Sequence, residues 1–283
     1  MSRILVFGEI LYDLFEEKAE IGGAPFNFAA HLASLGEQAV LVSAVGKDAM
    51  GMMAEKELEQ RGIDARYVAK TDLPTGYCKV TFENGAPRYN LVTGVAYDHI
   101  PVPDLKEEYD ALYFGTLSQR SEISKKTLFT LLDRQFNEIF LDVNVRKPFY
   151  TRELLEESIG KATVVKISRE EAFVLLPYSA PEDYCKALLG RYPNLKQVVL
   201  TLDKDGSMVC DRAKGVFHSP KPSSKAISTV GAGDSFGACY LHHYLKGDSI
   251  ERCLEAATAL SDFVVTKLGA VPELPEELKQ KII

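Results

Sequence analysis

The stretch PFNFAAHLASLGEQAVLVSAVG, residues 25–46, contains the pair of elements that decides the fold. Residues 25–36 have the apolar spacing of a helix, and Gly36 stands where helices commonly end in a left-handed residue. Residues 39–46 form a β-branched run typical of a buried strand, and a similar run, RILVFGEI, precedes the helix at 3–10. Strand, helix and strand in this order predict a parallel pair joined by a crossover helix.

The same alternation continues through most of the chain. It predicts further strands at 110–117, 138–145, 162–168 and 197–202, and helices at 52–62, 124–136, 152–162, 170–176, 182–192 and 236–245. A short surface helix is expected within 272–283. Because near-continuous apolar strands need cover on both faces, we predict an α/β fold with helices on either side of a mostly parallel central sheet.

Two segments depart from this alternation. Residues 75–100 have no helical period and contain a hairpin signal at Asn84-Gly85 between alternating runs. Residues 11–22 are a second short non-helical piece between the first strand and the first helix. We predict that the two form a small β-sheet lid beside the main body, able to close over a site. The alternative, a pair of decorated loops, stays open.

The composition limits the classes of function. With 283 residues, 46% of them hydrophobic, the chain can form one large core, and we predict a single domain over 1–283. The longest apolar stretches are too short to span a bilayer, and the start, MSRILVFGEI, is typical of a first strand and not of a signal peptide. A net charge of −7 disfavours a nucleic-acid-binding surface. Five scattered cysteines without a CxxC pair favour reduced thiols in a cytoplasmic protein and argue against a zinc site.

The stretch STVGAGDSFGACYL, residues 228–241, places a carboxylate at the start of a predicted helix. Gly231 and Gly233 allow backbone conformations that gather several N–H groups into one concavity, where the helix dipole adds positive potential. Such a place attracts an anion, and Asp234 would lie beside it. This arrangement suits phosphoryl transfer, in which N–H groups neutralise the phosphoryl oxygens while a carboxylate aligns the attacking hydroxyl. The alternative is that Asp234 only caps the helix, although Gly237 stands where a capping box would have Glu or Gln.

These motifs resemble the signatures of the ribokinase-like (PfkB) carbohydrate kinases, and most closely the fructokinase-like branch. The resemblance is carried by GGAPFNFAAHLASLG at 22–36, DVNVR at 142–146, KISREE at 166–171, TLDKDGS at 201–207 and GAGDSF at 231–236, in the family's order. It implies the ribokinase-like three-layer α/β/α fold and an ATP-dependent sugar kinase that uses Mg²⁺. Fructose, converted to fructose 6-phosphate, is the implied acceptor. Ribose, 2-keto-3-deoxygluconate, a nucleoside, or a non-catalytic sugar sensor remain alternatives.

The resemblance also implies roles for particular residues. Asp234 would be the catalytic carboxylate, and the backbone of Gly231, Ala232 and Gly233 would form the anion hole. Arg146 would face the transferred phosphoryl group or the sugar. For Arg146 the alternative is a surface ion pair.

The remaining implied residues bind the two substrates and the metal ion, and the lid is implied to contact a second copy of the chain. Sugar hydroxyls would be bound by Asp13, Gly23 and Asn27. ATP would be bound by Lys166, Thr201 and Gly206. Glu171 would act through water on Mg²⁺. The lid, with one apolar face, would pair with its twin in a homodimer.

Three positions depart from the family pattern. Ser168 stands where the family usually has Asn, which predicts a looser water-mediated Mg²⁺ site. Asp203 replaces a glycine two residues after Thr201, which predicts an altered nucleotide loop. Ser228 replaces an aspartate that helps to bind a monovalent cation in activated relatives, which puts potassium dependence in doubt.

Two other enzyme classes lack their motifs in this sequence. A nicotinamide-dependent oxidoreductase would need GxGxxG after a predicted strand, and no strand is followed by it. A Walker-type NTPase would need GxxxxGK followed by Ser or Thr, whereas Gly46-Lys47 and Gly160-Lys161 are followed by Asp and Ala. A non-catalytic sensor is harder to separate from a kinase, but it would have no need of Asp234.

Overall fold

The structure is a computed structural model, and it describes residues 1–14, 18–83, 86–177 and 180–283. The predicted turn at Asn84-Gly85 lies outside these residues. In the described residues there are thirteen strands: β1 Arg3–Phe7, β2 Leu11–Leu14, β3 Ala19–Gly22, β4 Gln38–Gly46, β5 Asp64–Thr71, β6 Gly76–Glu83, β7 Ala86–Leu91, β8 Ala111–Phe114, β9 Glu138–Asp142, β10 Val164–Ser168, β11 Gln197–Thr201, β12 Ser207–Asp211 and β13 Gly215–His218. The same residues contain nine α-helices: α1 Ala24–Ser34, α2 Ala49–Gln60, α3 Glu122–Leu132, α4 Arg152–Ile159, α5 Arg169–Leu175, α6 Pro181–Arg191, α7 Ala232–Lys246, α8 Ile250–Val264 and α9 Glu276–Ile282.

Nine strands form the central sheet, in the order β13-β12-β11-β10-β9-β8-β1-β4-β5. The seven strands from β11 to β5 pair in parallel, and β12 and β13 continue the edge in antiparallel fashion. Alternate residues of β1 point to opposite faces, so that Leu5 and Phe7 join one core and Ile4 and Val6 the other. Helices α3 to α6 cover the first face, and α1, α7 and α8 cover the second. The predicted three-layer α/β/α fold is confirmed.

A second, four-stranded sheet has the order β3-β2-β6-β7. Its strands lie inside the two segments predicted to form the lid, with β2 and β6 parallel and the outer pairs antiparallel. The small sheet ends at Leu91, before the end of the predicted range. Residues Ala96–His99 instead form a 3₁₀ turn, and the side chains of Ala96 and Tyr97 are fully buried in the main core.

Helix α7 begins four residues before the predicted start at Phe236. Gly231, its N-cap, has φ 79°, a left-handed conformation that ends the preceding loop and allows the helix to begin at Ala232. The helix ends at Gly247, which has φ 80°. Helix α8 and the edge strands β5, β12 and β13 were not among the predicted elements.

The loops after the parallel strands and the starts of α1 and α7 meet at one edge of the central sheet. Open parallel sheets bind ligands at this edge, outside the carboxyl ends of the strands. Within the described residues no helix is both long and apolar enough to cross a membrane.

The start of α7 packs against the backbone of Ala270. His31 on α1 donates a hydrogen bond from Nε2 to Ala270 O at 3.0 Å. Burial lowers the pKa of His31 to about 4, so the ring is neutral at physiological pH. A Cβ on Gly231 would lie 2.4 Å from the same Ala270 O. Residue 231 therefore needs to be glycine both for its backbone angle and for this contact.

Gly231 and Gly247 are a matched pair for testing this packing. An alanine at either position meets the left-handed conformation, which costs about 1–2 kcal/mol. Only at Gly231 would the new Cβ clash, because no described atom lies within 4 Å of a Cβ at Gly247. We expect Gly231→Ala to lower the free energy of unfolding, measured in urea, by at least about 1 kcal/mol more than Gly247→Ala does. Equal losses would contradict the packing of Ala270 against α7.

Candidate active site

A cleft of about 730 Å³ opens at the carboxyl edge of the central sheet, between the small sheet and the starts of α1 and α7. The cleft brings together eight of the twelve predicted site residues: Asp13, Gly23, Asn27, Arg146, Lys166, Gly231, Gly233 and Asp234. The other four are not among its lining residues: Ala232, Glu171, Thr201 and Gly206.

Asp234 is the third residue of α7, and its side chain is buried in the wall of the cleft. Asn27 on α1 donates from Nδ2 to Asp234 Oδ2 at 2.7 Å. Burial raises the pKa of Asp234, while the Asn27 hydrogen bond and the charges of Lys166 and Arg146 act against the rise. The N-cap of α7 is Gly231, with no side-chain cap hydrogen bond. The alternative that Asp234 caps the helix is therefore wrong, since its carboxylate is held across the cleft wall by Asn27.

The two glycines before Asp234 serve different purposes. Gly231 has the positive φ that was predicted, but Gly233 is the second residue of α7 and shows no left-handed φ. A Cβ on Gly233 would lie 3.1 Å from Lys166 Nζ. The prediction of a special backbone conformation is therefore wrong for Gly233. Its missing side chain instead leaves room for the ammonium group of Lys166. The amide of Ala232, between them, donates to Thr229 O at 3.3 Å.

Lys166 is fixed beside the start of α7 by Asp142. Its Nζ lies 2.9 Å from both carboxylate oxygens of Asp142, and both side chains are buried. Burial raises the pKa of Asp142 to about 6, and the lysine charge limits the rise. Burial opposes the charge of Lys166, but the charges of Asp142, Glu171 and Asp234 and the hydrogen bond to Asp142 together raise the pKa of Lys166. The pair is therefore ionised at neutral pH.

Asp142 was not predicted as a site residue, although two signals could have found it. It opens the DVNVR motif at the end of β9, and it lies directly opposite Lys166 in the parallel register of β9 and β10. A lysine and an aspartate paired at the ends of neighbouring buried strands are expected to form an ion pair.

Carboxylates surround the segment that leads into α1. A Cβ on Gly22 would lie 3.6 Å from Asp13 Oδ2, and one on Gly23 would lie 3.3 Å from Glu9 Cγ. Burial raises the pKa of Asp13, and the charge of Glu20 adds to the rise while Arg146 acts against it. Glu9 also lines the cleft and was not predicted; a single glutamate after a strand carries no motif signal.

Arg146 is the exposed cation of the cleft. Its guanidinium favours the ionised forms of Glu9, Asp13 and Asp234, and so limits the rise that burial causes in the pKa of each. The side chain is exposed at the end of the DVNVR motif, in the loop after β9. A flexible, solvated cation in this position can meet a second negative ligand group without a large cost in desolvation.

Glu171 lies behind the cleft, at the start of α5. Its Oε2 accepts from Ser168 N and its Oε1 from Val145 N, each at 2.9 Å. Ser168 Oγ in turn accepts from Glu171 N at 3.2 Å, which completes a capping box. Serine therefore fits the N-cap of α5 at the position where asparagine was expected. The carboxylate is fixed in direction by two backbone amides.

The residues of the TLDKDGS motif form a tight turn beside the cleft. Thr201 ends β11 opposite Ser168, and Leu202 N donates to Gly206 O at 2.8 Å. Asp203 has φ 55°, a left-handed conformation that glycine adopts without strain. Aspartate tolerates this conformation better than most side chains, so it can occupy this position of the turn.

Ser228 lies in the loop that leads to Gly231. Its Oγ accepts from Val230 N at 3.3 Å, and its backbone N–H donates to Val265 O at 3.1 Å, just after α8. The hydroxyl thus supports the turn before the helix. It provides one neutral oxygen where an aspartate would provide two charged ones.

Comparison with known proteins identifies the family and the fold. The model of the pfkB family carbohydrate kinases matches residues 1–277. An ATP-dependent 6-phosphofructokinase of Thermoanaerobacterium thermosaccharolyticum is 26% identical over 296 residues, covering 96% of this chain and 91% of the relative. A fructokinase of Rhizobium leguminosarum bv. trifolii is 28% identical over 269 residues, covering 87% of this chain and 81% of the relative.

Among solved structures, the aminoimidazole riboside kinase of Salmonella enterica, complexed with aminoimidazole riboside and an ATP analog, superposes with a TM-score of 0.86. The match covers 99% of this chain and 100% of that chain at 23% identity, and it shows a shared fold. The chain belongs to the pfkB family of carbohydrate kinases, and it is an ATP-dependent carbohydrate kinase.

Proposed function

We propose that the protein transfers the γ-phosphoryl group of ATP to a hydroxyl of a sugar bound beside Asp234, with fructose as the acceptor and fructose 6-phosphate as the product. One observation carries the proposal: a buried carboxylate at the start of α7 is held by Asn27 inside a cleft that also contains an ammonium group. The resemblance to the fructokinase-like branch and the fructokinases among the relatives favour fructose. Residues 1–283 would act as one kinase domain.

Asp234 would orient the attacking hydroxyl and accept its proton. Burial raises the pKa of Asp234, which makes it a better base than an exposed aspartate. Its Oδ2 is occupied by Asn27, so Oδ1 is the oxygen free to face the hydroxyl. In a loose transition state the proton leaves late, so orientation is the larger part of this role.

The start of α7 and Lys166 would stabilise the transferred phosphoryl group. The first N–H groups of a helix point out of its start, and those of Gly231 and Gly233 would form the anion hole. The N–H of Ala232, which was also predicted to contribute, donates to Thr229 O in this structure. The Lys166 ammonium lies next to Gly233 and stays charged because of Asp142. Arg146 would neutralise charge from the solvent side. Positive groups placed in advance need no reorganisation when negative charge develops.

The donor would enter as Mg²⁺-ATP at the Lys166 side, with Thr201 and Gly206 nearest to the nucleotide. No three His, Cys, Asp or Glu side chains converge on a metal position in the described part of the chain. The residues suit a hydrated ion, because Mg²⁺ keeps several waters and Glu171 offers a carboxylate of fixed direction. When bound, Mg²⁺ would neutralise phosphate charge, and Glu171 would hold one of its waters.

Other acceptors use the same scaffold. Ribose, 2-keto-3-deoxygluconate and a nucleoside are the alternatives to fructose, and one structural neighbour is a riboside kinase. A non-catalytic sugar sensor would bind a sugar without need of Asp234. The buried carboxylate therefore favours a kinase.

We also propose a homodimer through the small sheet and a cytoplasmic location. The small sheet ends in an edge strand on each side, β3 and β7, with which a second copy could pair. All five cysteines are buried and free, as expected in a reducing compartment.

Replacing the proposed base tests the mechanism. Asp234→Asn keeps the shape of the side chain but cannot accept the proton, so we expect turnover with fructose to fall by about 10²–10⁴-fold. ATP affinity, measured by calorimetry, should stay within about threefold. Asp248→Asn, the same change beyond the other end of α7, should retain wild-type turnover. Near wild-type turnover in Asp234→Asn would contradict the proposed role.

The space at Gly233 tests where the phosphates bind. Gly233→Ala should not destabilise the helix, but its methyl group would stand 3.1 Å from Lys166 Nζ and narrow the anion hole. We expect the KM for ATP to rise about 10-fold and the KM for fructose to change less than about twofold. Gly190→Ala, a helical glycine of α6 with no described atom within 4 Å of its Cβ, serves as the control and should leave both unchanged. Equal rises in the two KM values would argue against a phosphate site at Gly233.

The serine at 228 predicts a weak response to potassium. A single neutral hydroxyl that already accepts from Val230 N competes poorly with the hydration shell of the ion. With Mg²⁺ present, we expect the rate of fructose phosphorylation to change less than about twofold between potassium and tetramethylammonium at equal ionic strength. Strong, saturable activation by potassium would show that backbone carbonyls suffice to bind the ion.

A further inference from the structure

Glu9 is a buried carboxyl group in the wall of the cleft. It lies in the loop between β1 and β2, at the carboxyl end of a central strand, and is 4% exposed. Its backbone carbonyl approaches the start of α1 so closely that a Cβ on Gly23 would lie 2.5 Å from Glu9 O. Glu9 lines the same cleft as Asp13 and Asn27.

Two buried oxygens of this wall have no hydrogen-bond partner within the described part of the chain. They are Glu9 Oε2 and Asn27 Oδ1. The Asn27 amide is oriented by its donation to Asp234, so its free atom is the carbonyl oxygen. Asn27 Oδ1 is an amide oxygen and can only accept a hydrogen bond. Glu9 Oε2 can likewise only accept one when Glu9 is ionised. A buried acceptor without a donor is costly, and a bound ligand that supplies donors removes this cost.

Burial is the dominant influence on the pKa of Glu9. Burial raises the pKa of Glu9 to about 7, and Asp234 adds to the rise. A hydrogen bond from the backbone amide of Glu9 itself and the charges of Arg146 and Arg120 act against it. Arg120 is already paired with Asp98. Of the cations that line the cleft, Arg61 is paired with Glu57 and Lys166 with Asp142, so among the described side chains Arg146 is the one available to a ligand beside Glu9.

We propose that Glu9 is a specificity residue for the acceptor: its Oε2 accepts a hydrogen bond from a hydroxyl of a neutral sugar and excludes a sugar that carries a phosphate or carboxylate there. The assignment rests on the proposed function. A hydroxyl can donate to Oε2, whereas a phosphate or carboxylate group offers like charge and, when fully ionised, no proton. Asp13 and Glu20 line the same part of the cleft and add to the repulsion of an anion.

This reading separates the candidate acceptors by charge. Fructose and ribose are neutral and offer hydroxyl donors to Glu9 Oε2. In contrast, 2-keto-3-deoxygluconate carries a carboxylate and fructose 6-phosphate carries a phosphate. A relative that is an ATP-dependent 6-phosphofructokinase shares 26% of the matched residues. The proposed role of Glu9 predicts that this chain does not use fructose 6-phosphate as its acceptor.

Calorimetry on the full chain tests the assignment, with fructose, ribose, 2-keto-3-deoxygluconate and fructose 6-phosphate as probes. We expect the wild type to bind a neutral sugar at least about 10-fold more tightly than either anion. Glu9→Gln should lower the affinity for that neutral sugar about 10-fold, because the charge-assisted hydrogen bond is lost. The difference in affinity between the neutral and the anionic probes should also become smaller, because the repulsion of the anions is lost. Glu57→Gln removes a cleft carboxylate that is paired with Arg61, and should change neither affinity by more than about twofold.

The pH dependence of binding separates this role from a structural one. The ionised carboxylate is the better acceptor, so the affinity of the wild type for the neutral sugar should rise as pH rises through about 7. In Glu9→Gln this rise should be absent. Asp234, Arg146 and Arg120 are present in both proteins, so the difference between the two profiles belongs to Glu9. Thermal unfolding should show Glu9→Gln at least as stable as the wild type, since a neutral amide costs less to bury.

Three results would overturn the assignment: equal affinity of wild type and Glu9→Gln for the neutral sugar, tighter binding of an anionic probe by the wild type, or binding of neither neutral sugar. An ATP-consumption assay on the same proteins judges the proposed function separately. A neutral sugar that depends on Glu9 for binding but receives no phosphoryl group would uphold the assignment and overturn the kinase proposal for that sugar.

Discussion

The hydrogen bond from Asn27 to Asp234 is the contact on which the site depends. It joins the first turns of α1 and α7, two helices that pack side by side on one face of the sheet. Each helix starts at a glycine that lies against a backbone carbonyl, Gly23 against Glu9 and Gly231 against Ala270. These close approaches determine where the helices begin. They therefore determine where the carboxylate stands relative to the cleft.

The cleft combines acidic groups with a site for an anion, and the positions of its cations make this possible. Lys166 lies next to the start of α7 and keeps its charge because Asp142 is buried with it. Arg146 stays in solvent contact and limits the rise in the pKa of three buried carboxyl groups. Positive potential is thus concentrated at the anion hole, and acceptor atoms are concentrated at the Glu9 wall. This division matches a phosphoryl donor on one side and a hydroxyl-bearing acceptor on the other.

The sequence predicts the layers and most of the cleft because both depend on local patterns. Apolar strands between amphipathic helices determine the sheet, and the motifs around Asn27 and Asp234 lie at helix starts. The ion pair of Asp142 with Lys166 was missed because it depends on the register of two strands. The purpose of Gly233 was missed because it depends on a lysine 67 positions away in the sequence, and Glu9 because burial alone distinguishes it. Asp203 shows the reverse: it departs from the family pattern in sequence, yet it has the left-handed backbone angle that glycine favours.

The central claim is that the cleft directs a phosphoryl group from ATP to a sugar hydroxyl and not to water. ³¹P NMR of the wild-type protein with Mg²⁺-ATP and fructose measures this partition directly, because a sugar phosphate monoester and inorganic phosphate give separate signals. We expect fructose 6-phosphate and ADP to appear in equal amounts. Inorganic phosphate as the main product, or ATP that stays intact in the presence of fructose, would contradict it.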